Sequence, residues 1–145
     1  MPWECTYSAD TQTVELRYAG SVTPGDLEAS ANASLDLCRT HSTNRIFTDC
    51  TAMTGGHSVI DLYGLAKKVQ EATSGQLREA VLPPAGRDPQ DRVGFWETTS
   101  RNRGLDVRMV GSRDEGIAWL VSVPASWKDA PERLTPPATP GRKRT

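Results

Sequence analysis

Four short signals recur along the chain and restrict what it can fold into: Thr23-x-x-Asp26, Ser58-x-x-Asp61, Asp88-x-x-Asp91 and Ser112-x-x-Glu115. Each sets a hydrogen-bond acceptor at the start of a helix and an acid in its first turn. There the backbone N–H groups are free and the helix dipole favours negative charge. Pro24 and Pro89 occupy first helical positions, where a missing N–H is harmless. Short apolar runs lie between the signals, at IFTDC (46–50), AVLP (80–83) and VRMV (107–110). Helices alternating with short buried runs are the rhythm of strand, helix and strand in a largely parallel sheet.

The N-terminus reads differently. Trp3, Cys5 and Tyr7 alternate with polar residues, as do Val14, Leu16 and Tyr18, and the segment SADTQT separates the two sets. A period of two on either side of a turn predicts an antiparallel hairpin. Leu27, Ala31, Ser34, Leu35 and Cys38 then fall at helical spacing, and Gly104 is placed to end the third helix. The expected order is ββαβαβαβα, an α/β fold with a mixed five-stranded sheet packed by helices. Trp119 and Leu120 are expected to bury the last helix against that sheet.

Residues 1–128 are read as one folded unit. From Asp129 the sequence is DAPERLTPPATPGRKRT, a Pro-rich, basic segment whose only large apolar residue is Leu134. Such a segment buries too little to offset its ordering entropy, so 129–145 is expected to be a flexible tail. A net charge of −1 without a basic face argues against nucleic acid as a partner. No apolar run reaches the roughly 18 residues of a membrane span, and the N-terminus lacks a signal-peptide pattern. Three widely spaced cysteines suit reduced thiols and a cytoplasmic location.

The stretch DCTAMTGGHSVID (49–61) holds most of the residues that could carry chemistry. The capping pattern claims Ser58 and Asp61, with Gly55-Gly56 as the loop that feeds the cap. A phosphate-binding loop needs a lysine after its last glycine, and none follows here. Cys50 and His57 are a candidate nucleophile and base, but they need a mutual hydrogen bond and a third group orienting the imidazole. Cys38-x-x-His41 is half of a zinc site without a second half. No catalytic residue, metal or cofactor is therefore assigned.

Several phrases resemble a known family. VELRYAGSVTPGDLEA, RIFTDCTAM, DLYGLAKKV and FWETTSRNRGLDVRMVGSRDEGIAWL together span most of residues 3–121. They resemble the SpoIIAA-like family of small bacterial proteins, whose domains are of the STAS/SEC14-like kind. The resemblance implies a STAS-like fold and a binding role without catalysis. Anti-sigma-factor antagonists of this fold open the second helix with Asp-Ser-Ser-Gly-Leu and are phosphorylated there on serine. The matching residues here are Asp61, Leu62, Tyr63, Gly64 and Leu65, so Tyr63 stands in the switch position and both serines are absent. Thr54, Ser58 and Asp61 remain as a switch-like loop.

The kinship of such domains with SEC14-type proteins implies a small apolar ligand, or lipid at a membrane surface touched only peripherally. Ligands of open α/β sheets gather outside the carboxyl ends of the strands, here residues 50–58, 83–88 and 111–113. Phe95 and Trp96 lie beside that edge, on a helix whose apolar stripe is poor. Neighbouring side chains on a helix point about 100° apart, so one of the two faces the core less squarely and is free to line a groove. The bland alternative tucks both under neighbouring loops. Arg92, Arg101 and Arg103 are placed to meet anionic headgroups, or to form a solvated face. Tyr63, Phe95, Trp96 and Arg92 are thus the candidate binding residues. The second reading is a regulatory module that binds a protein partner or a second copy of itself.

Overall fold

The computed structural model describes residues 1–127, with the side chains of 87–89 excepted. The expected tail, 129–145, lies outside the described residues. The chain runs β1 (Trp3–Ser8), β2 (Thr13–Ser21), α1 (Pro24–His41), β3 (Arg45–Gly55), α2 (Val59–Thr73), β4 (Arg78–Leu82), α3 (Arg87–Asn102), β5 (Asp106–Met109) and α4 (Arg113–Val121). Among the described residues five strands form one sheet in the order β1-β2-β3-β4-β5. The first pair is antiparallel, with Trp3 opposite Tyr18 and Tyr7 opposite Val14, and the others are parallel. This is the expected ββαβαβαβα order and mixed sheet.

Alternation along the strands assigns the two faces. Leu16, Tyr18, Ile46, Cys50, Val81 and Val107 point to one side, where they pack with Leu27 and Leu35 of α1, Leu62 and Val69 of α2, and Val93 of α3. Phe47 and Ala80 point to the other, against Leu120 of α4. Helix α4 comes close because residue 116 is glycine: a Cβ there would lie 2.7 Å from the ring of Phe47. Below it two arginines neighbour each other across β3 and β4. Arg45 donates to the carbonyls of Thr11 and Val123, and Arg78 pairs with Asp106 and donates to Trp119 O at 2.6 Å. These bonds tie the C-terminal segment to the sheet.

The capping signals act as read at three of four helices. Thr23 and Asp26, and Ser58 and Asp61, form reciprocal capping boxes, and Ser112 Oγ accepts from the Glu115 N–H. Helix α3 departs from expectation. It begins at Arg87 after Gly86, whose φ of 103° only glycine adopts readily, and no side chain caps it. Pro89 therefore sits inside the first turn rather than at its first residue, still where backbone N–H groups have no partner within the helix. Gly104, at φ 83°, follows the end of α3 as expected.

Two further corrections concern strands. β3 does not stop at Cys50 but continues to Gly55, pairing with β2 beyond the end of β4 through two register shifts. Thr51 to Gly55 form a projecting ribbon, not a loop. β4 starts two residues earlier than its apolar run, at Arg78. Trp119 is only half buried, with the Arg78 guanidinium 3.7 Å above its ring, while Leu120 is the fully buried residue of that pair.

Candidate functional site

Between the sheet and helices α1 to α3 lies a cavity of about 80 Å³. Most of its wall is aliphatic, from Leu16 and Ile46 on the sheet to Leu27, Leu65 and Val69 on the helices. Its polar groups come from every layer: Tyr18 on β2, Thr48 and Cys50 on β3, His57 before α2, Glu79 on β4, and Arg92 and Trp96 on α3. The strands place Thr48, Cys50 and Glu79 there because inward positions recur every second residue.

Glu79 is the unusual member. It is 7% exposed, on a central strand, and accepts from Thr48 Oγ1 at 2.5 Å and from Trp96 Nε1 at 2.9 Å. Burial pushes its carboxyl above the usual range, and the two donated hydrogen bonds offset only part of that effect. Tyr18 is satisfied within the wall by Ser30 Oγ at 2.5 Å.

The corner beside the cavity is tightly built. Val22 N donates to Gly55 O at 2.7 Å, and the His57 ring bonds Val22 O through Nδ1 at 3.0 Å. A carbonyl only accepts, so Nδ1 carries a proton in this bond. Gly56 has φ 101°, and a Cβ there would come within 2.6 Å of Ser21 Oγ and the Val22 backbone. His57 thus braces the entry to α2 against the start of α1.

Cys50 and His57 both line the cavity, but no hydrogen bond joins them among the described residues. Burial pushes the Cys50 thiol far up, the opposite of what a nucleophile requires. Cys38 and His41 part company: the thiol is fully buried, whereas the imidazole stacks on Tyr7 with ring centres 3.7 Å apart. Among the described residues no group of three or more His, Cys, Asp or Glu converges on one point.

The structure divides the four candidate binding residues. Arg92 and Trp96 line the cavity, and Phe95 packs half-buried on the same core without lining it. Tyr63 stands apart on α2, 52% exposed, beneath the Arg103 guanidinium at 4.7 Å. Arg101 is exposed at the end of α3. Thr54 is exposed on the β3 ribbon, and Ser58 Oγ is engaged with Asp61. The backbone N–H and then the hydroxyl of Ser58 hold the Asp61 carboxyl below its usual value.

Two features escaped the sequence. Glu79 sits in REAVLP two residues before Val81, an acid in phase with inward apolar positions, but the run appeared to begin at Ala80. Val59 and Ile60, 44% and 79% exposed, join Tyr63 as an apolar patch at the start of α2. The capping pattern of Ser58 and Asp61 marks where α2 begins but carries no sign that Val59 and Ile60 face outward.

Among the described residues no helix is long and apolar enough to cross a membrane. No family model matches the chain, and no curated protein matches it. Among solved structures it is similar to the anti-sigma factor antagonist SpoIIAA in its unphosphorylated form, with a TM-score of 0.48 and 15% sequence identity, over 78% of this chain and 91% of that one.

Proposed function

We propose that the chain is a non-catalytic binding module that takes a small apolar ligand between its sheet and helices α1 to α3. The observation that supports this reading is the cavity, about 80 Å³ of mostly aliphatic space. One water needs about 10–15 Å³ of such space, so several atoms fit without any movement. Sites for drug-sized ligands run from about 300 Å³, so a whole acyl chain requires α3 to move outward. Phe95 and Trp96 hold α3 to the core and are the contacts that such an opening breaks.

Titration of the purified chain with a medium-chain fatty alcohol and with anionic vesicles tests this reading. Phe95→Ser with Trp96→Ser is expected to weaken binding strongly while circular dichroism still reports a folded protein. Vesicle binding is expected to fall as salt rises, because Arg101 and Arg103 meet headgroups through screened charges. Wild-type protein that binds neither probe removes the reading.

The exposed apolar patch of Val59, Ile60 and Tyr63 favours a second reading, a regulatory protein-interaction module. Native mass spectrometry of protein from its own host then shows a bound partner that Ile60→Asp releases. A serine kinase of the anti-sigma type is expected to leave the chain unmodified, since Tyr63 holds the switch position. Stoichiometric phosphate on Ser58 or Thr54 would overturn that expectation.

A further inference from the structure

An apolar ligand alone leaves Glu79 unexplained. Its carboxyl forms part of the cavity wall from the middle of a parallel sheet, and both of its hydrogen bonds are donated to it. An indole N–H can only donate. Donors at both oxygens are the surroundings of an acceptor, and they favour the ionised form. Burial alone raises this carboxyl, so ionising it in the cavity wall calls for a cation beside it.

Among the described residues no lysine, arginine or histidine forms an ion pair with Glu79. Arg92 shares the cavity, but its Nη2 lies over Gly55, 3.6 Å from where a Cβ would be. His57 spends its Nδ1 proton on Val22 O. Burial raises both Tyr18 and Cys50, which are neutral in consequence, and the lining residues of α1 and α2 do not titrate. What the fold provides is a carboxyl in a cavity wall with no ion-pair partner among the described residues.

We infer that the cavity takes a small molecule whose apolar body carries a protonated primary amine, with the ammonium docked on Glu79. This inference rests on the cavity being a ligand site and adds the chemical class of the ligand. The three N–H donors of an ammonium suit the lone pairs that Thr48 and Trp96 leave free. An alcohol would supply a hydrogen bond without the charge, and a carboxylate would be repelled. The bound cation favours ionised Glu79, so affinity falls as acid protonates that carboxyl.

The test is an NMR titration of the full chain, read at the indole N–H of Trp96, with n-propylamine, n-propanol and propionate as matched probes. Propylammonium is expected to bind at least tenfold tighter than propanol, with propionate weakest. Glu79→Gln is expected to bring propylammonium to the level of propanol without lowering Tm. Equal affinity for amine and alcohol, or a preference that survives E79Q, overturns the inference while the cavity reading stands. If no probe moves the Trp96 signal, both fall. Should E79Q fail to fold, wild-type amine affinity that does not weaken in acid also overturns the inference.

Discussion

Glu79 occupies a position where a parallel strand, covered on both faces, ordinarily carries Val, Ile or Leu. The consequence for stability has a definite sign. Because its carboxyl is raised in the folded chain, the folded state holds a proton that the unfolded chain has already lost. Stability contributed by that proton is full in acid and falls as pH rises from the ordinary carboxylate range through the raised one. Glu79→Gln removes this slope. The variant is expected to melt at or above the wild type at neutral pH, and thermal melts of both proteins across acid to neutral pH check it. A variant that is less stable only at neutral pH would show that the carboxylate is stabilised when ionised. Gly56 is constrained by geometry instead of charge: positive φ and the 2.6 Å approach to Val22 leave no room for a side chain. Its neighbour sequence announced a turn, but not the strand of β2 against which the turn is pressed.

At the scale of elements, the helices that cap themselves were the most legible. Thr23, Ser58 and Ser112 act on N–H groups three residues away, so no distant partner is needed to define them. Helix α3 carries the same local signal at Asp88-x-x-Asp91, yet it begins before it, at Arg87 after Gly86. Helix α4 shows the limit of reading burial from residue type. Leu120→Ala is expected to cost about 2–5 kcal/mol, as for a fully buried leucine. Trp119→Ala is expected to cost less than Leu120→Ala, its main loss being the stack with Arg78, about 0.5–2 kcal/mol. Denaturant unfolding of the two variants gives the order, and a larger loss for Trp119→Ala would mean that the indole is a core residue after all.

Across the molecule, protection should follow sheet pairing rather than hydrophobicity. Residues 46–49 of β3 are paired on both sides, to β2 and β4, whereas residues 52–55 pair with β2 alone. Backbone amides of Phe47 and Thr48 are expected to exchange with solvent far more slowly than those of Met53 and Thr54, since openings of a two-stranded ribbon cost less than unfolding the sheet. Uniform protection along β3 would argue against a projecting ribbon. Period-two alternation, helical spacing and local caps determined the hairpin, the helix order and the α/β class, because each is written within a few neighbouring residues. The length of β3, the outward turn of Val59 and Ile60, and the half-burial of Trp119 were decided by pairing and packing between segments far apart in sequence. The cavity is of the same kind: Thr48, Glu79 and Trp96 are separated by 31 and 17 residues along the chain and meet only because β3, β4 and α3 are stacked. A sequence records which residues are inward, but which inward residues face one another is fixed by the sheet and its covering helices.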